Sequence, residues 1–369
     1  MSSSTSNKKI KKEKGLLYTK MKIFHFKEKI DSLSADNRLI MPPLHIRIKP
    51  TNICNHNCSY CAYRVDNLQL GKDMVSRDFI PRDKMLEIID DLEEMKVRAV
   101  TFSGGGEPFC YPYLKDAALR LIKSKISFAT LTNGSLLSGE IAELFSRHAT
   151  WVRISIDGWD NLSYSRYRRV GEGEFSKVIQ NIRRFKKIGG NCYLGISLVV
   201  NKHNASHIYG LTMLLRDSGA DSVKISPCIV SNKGEENNDY HRRIFRIVKK
   251  QIAQALGKAN KKGFEIFDSY HTQLGSFDKP YSWCPYLQIL PVIGADLNIY
   301  PCQDKAYNLD EGLVGSIKKT RFQEFWLSDK NKFFKINPSK VCNHHCVANE
   351  KNRMILEYLG ADKRHLGFV

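Results

Sequence analysis

From residue 43 to about residue 228 the chain repeats one pattern, and that pattern limits its fold more than any other feature. A short alternating apolar stretch is followed each time by a longer stretch with apolar residues three and four apart. "PLHIRIKPT" (43–51) puts Leu44, Ile46 and Ile48 on one face of a strand, and "RDKMLEIIDDLEEMKV" (82–97) has helical spacing. The sequence then alternates "RAVTFSGGGEP" and "YLKDAALRLIKSK", "ISFATLTNG" and "SGEIAELFSRH", "WVRISIDG" and "FSKVIQNIRRFKKIGG", "CYLGISLVVN" and "IYGLTMLLRDSGA", and ends on "SVKISPCI". Strands separated by helices pair in parallel through right-handed crossovers. Six such strands suit an open barrel rather than a closed eightfold one. The expected fold class is therefore α/β: a partial (β/α)6 barrel with parallel strands plus a small C-terminal domain. Ligand chemistry is expected at the C-terminal ends of the strands.

The flanks complete the division. Residues 1–42 read as a basic N-terminal arm and a leading amphipathic helix, "MKIFHFKEKIDSL". The barrel is assigned to 43–235. A linking helical segment fills 236–279, with one long helix over 240–265. The C-terminal domain occupies 280–369 and holds four of the ten cysteines.

The formal net charge is +20, with lysines scattered along the chain. This is compatible with a solvated surface and with attraction of an anionic substrate. No zinc-finger or RNP1 pattern accompanies the charge, so nucleic acid is not expected as a partner. There is no apolar run long enough to span a bilayer and no secretory h-region in "MSSSTSNKKIKKEKG". A cytoplasmic location and no membrane partner are expected. In a reducing compartment grouped cysteines read as metal ligands rather than disulfides.

Three cysteines, Cys54, Cys58 and Cys61, fall in "CNHNCSYC" (54–61), straight after the first strand. Three thiolates can hold three irons of a [4Fe–4S] cube and leave the fourth iron open. A catalytic metal needs such an open position. A zinc site completed by His56 is the competing reading.

The C-x3-C-x2-C spacing, with aromatic Tyr60 before the third cysteine, resembles the signature of the radical S-adenosylmethionine (SAM) enzymes. The resemblance continues in order over residues 44–230. "SGGGEP" (103–108) is similar to that family's GGE motif, implying that Gly105, Gly106 and Glu107 meet the SAM ammonium. "TNG" (132–134), with Asn133, ends the third strand. "RISIDG" (153–158) resembles a ribose and carboxylate contact through Ser155 and Asp157. "RYRRVGEGEF" (166–175) resembles a segment whose arginine pairs with the SAM carboxylate; Arg168 is the preferred candidate and Arg169 the alternative. The resemblance implies that SAM is the missing ligand and the source of a 5′-deoxyadenosyl radical. It also implies an electron donor such as flavodoxin or ferredoxin.

Cys284, Cys302, Cys342 and Cys346 form a second set, read as ligands of a second [4Fe–4S] cluster, with zinc or unrelated buried thiols as alternatives. "WCPYLQILPVIGADLNIYPCQD", "GLVGSIKKTRFQEFW" and "CNHHC" with the helix after it resemble the SPASM and twitch extensions of the same family. Four cysteines match the single-cluster twitch pattern. Four thiolates would saturate that cluster, which implies an electron acceptor rather than a substrate ligand. The expected function is a radical SAM oxidoreductase acting on a small anionic, carbohydrate-like or nucleotide-linked substrate. The alternatives are a peptide-modifying enzyme or an epimerase, and an RNA-modifying iron–sulfur protein. Cys228, after "SP" at the end of the sixth strand, is the candidate catalytic hydrogen donor for epimerisation. His271 is a candidate base, and the pair His344–His345 is expected in a solvent-facing loop.

Overall fold

The computed structural model describes residues 17–65, 68, 70–259, 263–275 and 277–368. The basic arm expected at the N-terminus lies mostly outside these residues. The expected leading helix is two short pieces instead, a 3-10 turn Lys20–His25 and an α-helix Lys27–Asp31, parted at Phe26.

Among the described residues one sheet carries ten strands. They are β1 His45–Ile48, β2 Ala99–Phe102, β3 Ser127–Thr132, β4 Trp151–Ser155, β5 Tyr193–Val200, β6 Ser222–Pro227, β7 Glu265–Asp268, β8 Val292–Ile293, β9 Asn298–Tyr300 and β10 Gly315–Ser316. Their order is β10-β9-β8-β1-β2-β3-β4-β5-β6-β7. Strands β1 to β7 pair in parallel, as the helical crossovers require. The six expected strands are all present.

Two features differ from expectation. The long helix over 240–265 is two helices, Gly234–Arg242 and Phe245–Ala259, followed by the seventh parallel strand β7. The buried His241 ties the end of the first helix to the barrel: its Nε2 meets Cys228 O at 2.9 Å and its Nδ1 meets Tyr270 OH at 3.1 Å. In addition, β8 joins β1 in parallel, so the C-terminal hairpin extends the barrel sheet across residue 280. Ile293, Ile299, Phe322 and Trp326 share one core with the barrel strands.

Alternation along each strand sorts its residues. Ile46, Ile48, Val100, Phe102, Val152, Ile154, Leu194, Ile196, Val223 and Ile225 are almost wholly buried in the core beneath the helices. Their neighbours take the opposite, concave face. There the register sets Arg47 beside Thr101, Arg153 beside Gly195, and Lys224 beside Ser197. This side is polar, and it leads up to the cysteine loop.

Candidate functional site

The cysteine loop leaves the end of β1 and packs on the glycine turn that ends β2. Gly106 N donates to Thr51 O at 3.1 Å, and Glu107 N to Ile53 O at 2.9 Å. A Cβ on Gly106 would lie 2.1 Å from Ile53 O, and one on Gly105 would lie 2.2 Å from Asn52 Oδ1. Glycine is thus required because two backbones touch directly before Cys54. Beside Cys54 a cleft of about 770 Å³ is lined by Ile53, Tyr63, Arg64, Met74 and Arg77, among others.

Glu107 is 3% exposed, and it spends its carboxylate on the protein. It accepts from Thr132 Oγ1 at 2.6 Å, Asn133 N at 2.7 Å and Phe109 N at 3.1 Å. Burial raises its pKa, and these bonds work against the rise. Sequence reasoning gave Glu107 a SAM contact; in the structure its carboxylate also holds the end of β3. Asn133 carries that hold onward: its Nδ2 donates to Asn55 Oδ1 at 2.8 Å, inside the cysteine loop.

Arg168 and Asp157 form a buried pair, 5% and 0% exposed. Arg168 Nη2 donates to Asp157 Oδ2 at 2.6 Å, Ser155 O at 2.9 Å and Ser155 Oγ at 3.1 Å. Its Nη1 reaches Cys58 Sγ at 3.8 Å, and Tyr60 OH donates to Asp157 Oδ2. Five expected site residues, Cys58, Tyr60, Ser155, Asp157 and Arg168, are therefore one network. Of the two arginine candidates, Arg169 is a left-handed helix cap and Arg168 turns inward. Arg168 Nε is buried with no hydrogen-bond partner. Burial works against the guanidinium charge, but Asp157, Tyr164 and Cys58 together outweigh it and raise the pKa. Burial likewise pushes the Asp157 carboxyl up, opposed by Arg168.

The three loop cysteines are free and half-buried. Burial pushes Cys54 up to about 12 and also raises Cys58, which Arg168 opposes. Neighbouring thiolate charge adds to both shifts. Among the described residues no three His, Cys, Asp or Glu side chains gather closely enough for a single metal ion. His56, the proposed zinc ligand, stands instead 3.9 Å from Glu174 and edge-on to Tyr164. Three sulfur donors spread along one loop beside a buried cation fit a polynuclear anionic cluster better than a mononuclear ion.

The second set converges although its members are far apart in sequence. Burial pushes Cys302 well up, and the charges of Cys346, Cys342 and Cys284 add to the shift. Cys342 rises to about 11 and Cys346 to about 12 for the same first reason. Lys279, 4% exposed, opposes the rise at Cys284, Cys342 and Cys346, and its Nζ donates to His344 O at 2.6 Å. Asn352 Nδ2 donates to Cys284 Sγ at 3.3 Å. Four half-buried thiols with lysine beside them suit an anionic cluster. The histidine pair does not face solvent as expected: His344 is 4% exposed, and His345 meets Asn238 Oδ1 at 3.1 Å. They are drawn in because the Cys342–Cys346 loop folds under Lys279.

Sequence reasoning missed the link between the two cysteine sets. Lys49, 1% exposed, donates from Nζ to Tyr63 OH and to Gly104 O, each at 2.6 Å. Tyr63 OH donates on to Gln303 O at 3.2 Å. Tyr63 is two residues past Cys61, and Gln303 follows Cys302. Burial holds the Lys49 pKa far below its usual value, while Asp304, Cys61 and Cys302 pull it back up. The available signal was the alternation "HIRIK", which puts a cation on the concave face at every second residue.

Cys228 is buried at the end of β6, with Sγ 3.8 Å from His241 Nε2, and burial pushes its thiol up to about 12. His271 holds Asp268 Oδ2 at 2.5 Å through Nδ1, next to β7. Among the described residues no helix is long and apolar enough to cross a membrane.

The radical SAM superfamily model matches residues 48–211. The serine-type anaerobic sulfatase-maturating enzyme of Bacteroides thetaiotaomicron is 29% identical over 199 residues, 51% of this chain and 47% of that one. The pre-heme d1 synthase of Dinoroseobacter shibae is 27% identical over 224 residues, 58% of this chain and 52% of that one. The chain spans about half the length of the curated relatives it matches. Among solved structures, Streptococcus suis SuiB bound to the precursor peptide SuiA superposes with a TM-score of 0.62, covering 92% of this chain and 80% of that one at 17% identity. That likeness establishes the partial-barrel fold together with its C-terminal extension. Residues 48–211 of this chain are thus similar to the radical SAM superfamily, whose members share a [4Fe–4S] cluster and SAM as cofactors.

Proposed function

We propose that this chain is a radical SAM enzyme that oxidises a peptide substrate, with a second, fully cysteine-ligated cluster as electron acceptor. The observation that supports the oxidative part is that Cys284, Cys302, Cys342 and Cys346 lie near enough to act on one another's charge, in a half-buried site linked to the Cys54–Cys61 loop by Lys49, Tyr63 and Gln303. A peptide replaces the small carbohydrate-like substrate expected from the sequence. The sulfatase-maturating relative and the peptide-bound SuiB structure support that choice.

In this reading Cys54, Cys58 and Cys61 hold a [4Fe–4S] cluster which, with SAM, supplies a 5′-deoxyadenosyl radical able to take hydrogen from an unactivated C–H bond. The protein's own residues do the rest. The glycine turn and Glu107 fix the ends of β2 and β3 against the cysteine loop. Arg168 offers its remaining N–H beside Cys58, and Asp157 keeps the guanidinium charged and aimed. Lys49 ties Tyr63 and the Gly104 turn together between the two cysteine sets. Loss of one hydrogen atom, one electron and one proton from the substrate completes a two-electron oxidation.

The test is anaerobic incubation of reconstituted protein with SAM, reductant and a peptide library. Formation of 5′-deoxyadenosine together with a peptide two hydrogens lighter is expected, and neither should form with Cys58→Ala. If 5′-deoxyadenosine accumulated while only a non-peptide such as a porphyrin was consumed, the peptide assignment would fall. The pre-heme d1 synthase relative makes that the second reading.

A further inference from the structure

The concave face of the barrel holds cations that lack anionic partners. Arg153, in the middle of β4, has its Nε buried without a hydrogen-bond partner. Its neighbours are ring faces: Tyr18 at 5.3 Å and Trp151 at 5.4 Å from its guanidinium carbon. Among the described residues Lys224, on β6, makes no ion pair, and its Nζ lies 6.0 Å from the same Tyr18 ring. Tyr18 is itself packed edge-on against Phe267 of β7 at 4.2 Å. On β1, Arg47 bonds Gln303 through Nη1, and its Nε is also buried without a partner. Buried charge is normally paired, because an unpaired ion loses its hydration and gains nothing in return. Aromatic faces supply only part of what an anion would.

The glycine beside these cations leaves room for the Arg153 side chain. Gly195 stands between Arg153 and Ser222, where a Cβ would come within 3.3 Å of both Arg153 Nε and Ser222 Oγ. The surrounding concave positions are Thr101, Ser155 and Ser197, all small and polar. Other cations reach Lys224: Arg153, Lys351 and Arg47 each add to the effect of burial in holding it down to about 8. Asp304 acts on Arg47 and Lys49, but no carboxylate acts on Arg153 or Lys224.

We propose that Arg153 and Lys224, with Arg47 across the lumen, form a subsite for an oxyanion carried by the substrate, a carboxylate or a phosphate. The inference rests on the reading of the chain as a radical SAM enzyme whose substrate enters the lumen, and it deepens that reading by giving the substrate a charge. An acidic side chain of a peptide is the favoured source. A guanidinium and an ammonium on different strands would grip the anion below the radical site and fix which carbon is presented.

The test uses the full-length, cluster-loaded, SAM-bound protein and two probes: glutarate, for an acidic side chain, and sulfate, for a phosphate group. Binding is read by calorimetry, alongside the melting temperature with and without probe. Wild type should bind at least one probe. Arg153→Gln and Lys224→Met should each weaken that binding by about ten- to a hundredfold, the worth of a charge-assisted hydrogen bond. Lys115→Gln, an equal charge loss on an exposed helix, should change it by less than about twofold. In probe-free buffer Lys224→Met should melt no lower than wild type, because it removes an unpaired, half-buried charge, and the probe should raise the melting temperature of wild type but not of Lys224→Met. Tighter glutarate binding identifies a carboxylate, and tighter sulfate binding a phosphate. Equal weakening by Lys115→Gln, or no binding at all, overturns the subsite. Formation of 5′-deoxyadenosine is measured in the same wild-type samples. Anion binding without it would sink the proposed function and leave the subsite standing, and the converse would do the opposite.

Discussion

Replacing Glu107 by Gln separates a carboxylate that touches SAM from one that holds the scaffold. The substitution keeps the shape and removes the charge. Oε1 serves Thr132 Oγ1 and Phe109 N, and Oε2 serves Asn133 N. A glutamine oxygen can keep one of these sides, but its NH2 must then face a donor on the other. The loss is one hydrogen bond to a charged acceptor, about 1.5–3 kcal/mol. Glu107→Ala strands two backbone N–H groups and one hydroxyl, at about 1–3 kcal/mol each, so about 3–9 kcal/mol in all. Urea unfolding of the apoprotein measures both. SAM affinity and cleavage are then measured after reconstitution, and Glu107→Gln should retain cleavage with affinity reduced by less than about tenfold, because its effect passes through the turn. If Glu107→Gln were as stable as wild type yet bound no SAM, the reasoning would be refuted and the carboxylate would be a direct ligand.

Three further expectations follow from the same geometry. Asp157→Ala leaves the Arg168 guanidinium buried without its partner and should cost about 3–5 kcal/mol in urea unfolding; a loss below about 1 kcal/mol would mean that the pair is solvated. Lys224 loses its proton near pH 8, held down by burial and by Arg153, Lys351 and Arg47. Only its charged form attracts an anion, so sulfate affinity should fall as pH rises through about 8 and should be flat in Lys224→Met; a rise with pH would contradict the assignment. Cys228→Ala should leave turnover nearly intact at a stability cost of about 1–2 kcal/mol, whereas Cys302→Ala should stop product formation while some SAM cleavage persists. Deuterium from solvent at a substrate carbon, lost in Cys228→Ala, would instead make the enzyme an epimerase.

The barrel was legible because its signal is local and repeated. Ile46 and Ile48, Val100 and Phe102, and Val152 and Ile154 mark one face of their strands by alternation alone. β7 was not legible: it has only four residues, Glu265–Asp268, and follows a strongly helical run. The three-cysteine loop could be read from spacing, and the second cysteine set from count. Their junction could not, since Tyr63 meets Gln303 across 240 residues and nothing in either neighbourhood announces the other. The structural role of Glu107 was hidden for a related reason. A motif shows that a carboxylate stands beside glycines, but not that three donors from β3 and the turn consume it. The cations Arg47, Arg153 and Lys224 were visible as the polar members of "HIRIK", "WVRIS" and "SVKIS", once the apolar members are assigned to the core.

The most direct measurement is iron and sulfide content after anaerobic reconstitution, read together with the electron paramagnetic resonance spectrum with and without SAM. The account predicts about eight irons in wild type, as two [4Fe–4S] clusters. It predicts about four in the Cys54→Ala, Cys58→Ala, Cys61→Ala triple variant, with a spectrum indifferent to SAM, and about four in the variant lacking Cys284, Cys302, Cys342 and Cys346, with a spectrum that SAM changes. Full iron in the first variant, or a spectrum that still responds to SAM there, would contradict it.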